Sequence, residues 1–251
     1  MRGSRPLPAV LLTSNDVEFV FHVRTAAGPG SAFLHQDELG FYFVSAGHLF
    51  MGVKPGENIQ FHRADDNWLE FEVIEIIFHP NAADVCCFTL ALDIDFKGNK
   101  PYKLEPKSFI GDEVKFVGFP HGLEGNYPSG HGFSTGLVRT AFFSGMVNIE
   151  GNRVTIFDGF NNPGFSGAPV YCNSDNGTAV VCAVVTGFRN ERASLGQLFK
   201  REGDGVVEVE GHFIQRLNSG LIYAADVGQI HETARALGSR QRRRPDSHIE
   251  F

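Results

Sequence analysis

From Val17 to Val227 the sequence is cut into short apolar or alternating runs, each ended after roughly 8 to 12 residues by Gly, Pro, Asn or Asp. Alternation with a period of two is what a half-buried strand requires, because successive side chains point to opposite faces of a sheet. Twelve runs read this way: 17–25, 31–35, 40–47, 58–63, 69–78, 84–92, 112–119, 132–140, 153–160, 167–173, 179–188 and 220–227. Helical periodicity is nearly absent, so the body of the chain is constrained to an all-β fold of the sandwich or barrel kind. The 24 Phe and 29 Gly suit packed strands joined by tight turns.

A polar, Lys- and Pro-rich stretch, Asp95 to Phe109, separates two groups of strands. The expected organisation is a strand unit over 16–95, a linker over 96–107 and a second strand unit over 108–227. Val227, Ile230, Ala234 and Leu237 then fall at near-helical spacing and Gly238 offers a stop, which predicts a C-terminal α-helix over 228–238. Residues 239–251 read as an Arg-rich, solvated tail; Arg240, Arg242, Arg243 and Arg244 offer a contact to an acidic partner.

With 251 residues the chain can bury a substantial core. A net charge of -7 removes any general reason to expect nucleic acid or an acidic membrane as partner. No run approaches the roughly 18 to 20 apolar residues of a membrane span, and the run Ala9 to Leu12 is too short for the core of an export signal. Cys86 and Cys87 are adjacent, and Cys172 and Cys182 flank a turn, so the four read as reduced, buried thiols. That reading places the protein in the cytoplasm, unless a leader has been removed. Neither an HExxH nor a paired CxxC occurs, and no metal or cofactor is expected.

The chemistry begins in the stretch NNPGFSGAPVY, Asn161 to Tyr171, where two Gly and two Pro surround Ser166. Gly164 and Gly167 allow backbone angles that a Cβ forbids, and such a turn can aim successive N–H groups into one concavity. The N–H groups of Gly164 and Ser166 are the natural pair to hold a developing oxyanion beside a Ser166 nucleophile. An ordinary hairpin turn has the same composition. A Ser hydroxyl also needs a His to take its proton and, usually, a carboxylate to orient that His. His48 follows a strongly apolar strand and the small residues Ser45, Ala46 and Gly47. His79, His121 and His131 have less defined settings. Asp84 stands at the mouth of the apolar run Val85 to Leu92, where a carboxylate is costly without a hydrogen-bond partner. Asp65 and Asp66 read as an exposed turn, and Asp158 lies eight residues before Ser166.

Together these segments resemble the trypsin-like (chymotrypsin-fold) serine peptidases, in particular the compact bacterial branch with the HtrA-type proteases. GSAFLHQDELGFYFVSAGHLF is similar to that family's GSGF, hairpin and TAxH segment, HPNAADVCCFTL to its HPxxDVAxLxL segment, and FDGFNNPGFSGAPVY to the segment carrying SGGP. VKFVGFPHG, AVVCAVVTGF and GLIYAADVGQI resemble three further segments in the same order. The resemblance implies two antiparallel six-stranded β-barrels packed around a cleft, without a peptide-binding PDZ module. It implies Ser166 as nucleophile, His48 as general base and then acid, Asp84 as its orienting partner, and Gly164 with Ser166 as oxyanion hole. The expected activity is endopeptidase cleavage of a polypeptide substrate through an acyl-enzyme.

Two departures stand out. Gly47 replaces the usual Ala before the His, and Phe165 stands where secreted members carry the Asp that pairs with a new N-terminus, so that activation route is not expected. Whether the oxyanion turn forms at rest therefore depends on Phe165. By the same resemblance Phe160, Thr186, Gly187 and Phe188 line the substrate pocket and favour small or medium apolar side chains. Competing readings keep the fold but make the cleft a silent or latent peptide-binding module, or an esterase.

Overall fold

The computed structural model describes residues 9–92, 103–105, 110–125, 132–149, 151–194, 198–202, 205–209 and 214–238. Most of the expected linker and the four Arg of the tail lie outside them.

Six strands make the first barrel: β1 (Val20–Thr25), β2 (Gly28–Asp37), β3 (Gly40–Ser45), β4 (Asn58–His62), β5 (Trp68–Phe78) and β6 (Cys86–Leu90). They close in the order β1-β2-β3-β6-β5-β4. The second barrel uses β7 (Glu113–Gly118), β8 (Leu137–Ile149), β9 (Asn152–Gly159), β10 (Pro169–Asn173), β11 (Ala179–Ser194) and β14 (Ile214–Asp226), in the order β10-β11-β14-β9-β8-β7. All their pairings are antiparallel. Closure removes the unpaired edges that an open sheet of this size would expose.

Phenylalanine fills both interiors. In the first barrel Phe43 stacks on Phe88 and meets Phe21 and Phe61 edge to face, and Phe116, Phe157 and Phe165 occupy the second. A third buried cluster lies between them and includes Val20, Tyr42, Val85, Val117, Phe119 and Tyr171. It is sealed by α3 (Val227–Arg235), whose Val227, Ile230 and Ala234 point inward with Leu237 beyond it. Asp226 caps this helix by accepting from Gln229 N at 3.1 Å, while Gln229 Oε1 accepts from Asp226 N at 2.9 Å.

Several boundaries differ from the sequence reading. The run 17–25 divides into a short helix, α1 (Ser14–Val17), and β1, because the buried carboxylate of Asp16 accepts from Thr13 N. The strand expected at 132–140 begins only at Leu137 and runs to Ile149, since Phe133 leaves the second barrel to pack on Phe21 and Phe61 of the first. β11 and β14 extend past the barrel, and between them β12 (Leu198–Glu202) and β13 (Gly205–Val209) pair as a separate hairpin. Within the expected linker, Leu104 bridges to Val181 of β11, with Lys103 O accepting from Val181 N and Glu105 N donating to Val181 O, both at 3.0 Å. α3 stops at Arg235, ahead of Gly238. Cys86, Cys87, Cys172 and Cys182 are buried, and none forms a disulfide. No helix among the described residues is long and apolar enough to cross a membrane.

Candidate active site

β3 ends at Ser45 and the chain turns directly into α2 (Gly47–Phe50). Leu49 and Phe50 are buried in the first barrel and anchor this single turn, which leaves the His48 ring facing outward. Asp84, in the loop entering β6, accepts twice from His48: from the backbone N–H at Oδ1 (2.6 Å) and from Nδ1 at Oδ2 (2.7 Å). An ionised carboxylate has no proton to give, so Nδ1 carries the hydrogen and Nε2 presents a lone pair. The two side chains are 42% and 37% exposed, which leaves Nε2 on an accessible edge of the barrel. Gly47 eases the close approach of the two loops, since a Cβ there would lie 3.1 Å from Asp84 Oδ1 and 3.2 Å from Val85 N.

Two consecutive turns share Phe165, and Ser166 is the second residue of the latter. Phe165 N donates to Asn162 O (3.2 Å), and Ala168 N donates to Phe165 O (2.9 Å). Gly164 and Gly167, the third residues of these turns, have φ of +105° and +84°, as type II turns require. In the first turn the peptide between Pro163 and Gly164 is decisive, because a trans peptide points its N–H opposite to its C=O. Pro163 O accepts from His121 N at 2.8 Å, so the Gly164 N–H is turned away from the 119–122 loop. Among the described residues neither Gly164 N nor Ser166 N donates to a backbone carbonyl. Phe165 is fully buried, edge-on to Phe116 with ring centroids 4.8 Å apart. It anchors the turn from below, where the sequence left the resting state of this loop open.

The contact between the barrels at this point comes from Ser31 of β2, a residue that sequence reasoning did not single out. Its N–H donates to Ser166 O at 2.7 Å and its hydroxyl to Gly164 O at 2.8 Å, while Ser31 O accepts from the Ser45 hydroxyl at 2.7 Å. One residue thus connects the Ser166 turn to the strand that leads to His48. Neighbouring Gly30 lies between Leu49 and the Ser166 carbonyl, and a Cβ at Gly167 would overlap Ser31 O. The only advance signal was the run of small residues in GPGSA.

The expected pocket residues do not all line a buried recess. Phe160 is exposed, whereas Thr186, Gly187 and Phe188 are half-buried on β11. Asn161 was also missed from sequence. It is buried, its Nδ2 donates to Gly187 O at 3.0 Å, and its O accepts from Asn218 Nδ2. This side chain ties the Ser166 loop to the 186–188 strand.

No protein-family model matches the sequence, and no curated protein matches it. Solved structures do match. The HtrA-type protease AlgW with a tripeptide aligns over 89% of this chain and 61% of its own, at 17% identity with a TM-score of 0.57. The serine endoprotease from Yersinia pestis aligns over 90% of this chain and 67% of its own, at 16% identity and a TM-score of 0.53. Rv3671c from M. tuberculosis H37Rv, in an inactive form, aligns over 93% and 97%, again at 16% and 0.53. The fold is that of the trypsin-like serine proteases. The chain spans less than two thirds of the AlgW chain it matches. In this trypsin-like double barrel, His48 and Asp84 belong to the first barrel and Ser166 to the loop between β9 and β10 of the second.

Proposed function

We propose that the protein is a serine endopeptidase. Ser166 Oγ attacks the scissile carbonyl carbon, and its proton passes to His48 Nε2. The N–H groups of Gly164 and Ser166 bind the resulting oxyanion, a term worth about 10²–10³ in rate per donor. Collapse breaks the C–N bond, and the leaving amine takes the proton from His48. Water then attacks the acyl-enzyme, giving its proton to His48, and collapse returns that proton to Ser166 as the acid leaves. Asp84 stays ionised throughout and holds the imidazole in the tautomer that makes Nε2 the base.

The observation that carries this reading is the two-point grip of Asp84 on His48, through backbone N–H and Nδ1 together. A capping carboxylate needs only the first of these bonds. The likeness of the fold to a serine endoprotease supports a polypeptide as substrate, and the half-buried Thr186, Gly187 and Phe188 on β11 favour a small or medium apolar residue at the cleaved position. The test is digestion of a peptide library by the wild-type protein and by Ser166→Ala. Cleavage after small apolar residues, lost in the variant, is expected; hydrolysis of esters without cleavage of any peptide sinks the endopeptidase reading.

A further inference from the structure

At a second place on the seam between the barrels, three potential ligands converge. His22 of β1, His62 of β4 and Glu124 in the loop after β7 bring one ligand atom each within 4.8 Å of one another. Both imidazoles are buried, at 4% and 7% exposure. Glu124 Oε1 faces His22 Nδ1 at 3.2 Å and also approaches His62 Nδ1. Tetrahedral zinc with bonds near 2.1 Å separates its donor atoms by about 3.4 Å, so the group is close to a metal-binding arrangement without any backbone movement.

Asp66 Oδ1 lies 3.2 Å from His62 Nε2, so Nδ1 is the ring nitrogen turned toward Glu124 Oε1 and His22. His22 Nε2 is buried and, among the described residues, has no hydrogen-bond partner. A divalent cation takes neutral imidazoles and a carboxylate as ligands. Asp66 supplies the outer carboxylate that orients a ligating histidine, and the Ser134 oxygen, 2.7 Å from His62 Nδ1 with its hydrogen donated to Arg63 O, is the acceptor that a cation would displace from that nitrogen. Phe119 stacks on His22 at 4.8 Å, and Trp68 packs on both rings at 5.0 and 4.7 Å, which holds the two imidazoles in place.

We propose that His22, His62 and Glu124 form a divalent transition-metal site, suited to Zn²⁺, that clasps β1 and β4 of the first barrel to the 120–125 loop of the second. The ligands are 40 and 62 residues apart, so no short motif announces them. The loop they would fasten is the one whose His121 N–H holds Pro163 O. An effect of metal on catalysis would follow from that link and rests on the peptidase reading; metal binding itself does not.

The test uses the full chain after chelator treatment, titrated with Zn²⁺ and with Co²⁺. Trp68 is the single Trp, so its emission reports on the cluster directly. The expected result is saturation at one ion per chain, a change in Trp68 emission that tracks it, tetrahedral Co²⁺ absorption bands, and a rise in Tm. Glu124→Gln, a mild change on a partly exposed loop, is expected to abolish saturable binding while leaving the metal-free circular dichroism unchanged. Asp66→Asn is expected to weaken binding by about 10-fold or more. Failure of the wild type to bind overturns the proposal, as does binding that persists in Glu124→Gln or disappears only in His48→Ala.

Discussion

The backbone N–H of Ser31 holds the carbonyl of Ser166 at 2.7 Å across the seam, so the first barrel positions the residue proposed as nucleophile of the second. The Ser31 hydroxyl adds a bond to Gly164 O. In Ser31→Ala the backbone bond survives while the half-buried Gly164 carbonyl loses its donor. A stability loss of about 0.5–1.5 kcal/mol is expected from denaturant unfolding. Because the turn loosens near the reacting atoms, kcat should fall more than KM rises in steady-state kinetics.

Asp84→Asn leaves the shape of the loop but offers His48 an amide that can donate to Nδ1, favouring the tautomer with the proton on Nε2. A decrease in kcat of about 10⁴ is expected, with little change in the unfolding midpoint. A variant with near wild-type turnover would make Asp84 a strand cap and no more.

Gly164→Ala tests the turn itself. A Cβ at this position overlaps Phe119 O, and φ of +105° strains any side chain. Relief requires rotating the Pro163–Gly164 peptide, which removes one oxyanion donor. The expected cost is about 10²–10³ in kcat, with acylation by an active-site ester slowed to the same degree.

The pH dependence of stability has a contributor at the opposite end of the chain. Burial raises the pKa of Asp16 above its ordinary value. The folded state therefore holds this proton more tightly than the unfolded state does, and wild type gains stability as pH falls through the folded value towards the ordinary one. Asp16→Asn removes that gain while its amide oxygen still accepts from Thr13 N. The difference in urea midpoint, variant minus wild type, is expected to shrink between pH 7 and the carboxylate range. A constant difference would falsify this assignment.

Much of the candidate site was legible because each proposed residue carries its own local signature. Asp84 opens an apolar strand, His48 follows one after three small residues, and Ser166 stands among residues that only a tight turn uses. The barrels were legible for the same reason, from period-two runs broken by turn residues. What escaped is the set of contacts made across long sequence separation. Ser31 reads as one more small strand residue, and its function exists only where Gly164 and Ser166 cross it. Phe133 was assigned to a strand of the second barrel because nothing local reveals that it packs in the first. His22, His62 and Glu124 have unremarkable neighbours, and only barrel closure brings them together.

The central claim is that Ser166 is a nucleophile activated by His48, and covalent labelling tests it most directly. A fluorophosphonate probe followed by peptide mapping is expected to modify Ser166 in the wild-type protein, with labelling lost in Ser166→Ala and strongly slowed in His48→Ala. A folded wild-type protein that stays unlabelled, or that is labelled at the same rate without His48, would contradict the account.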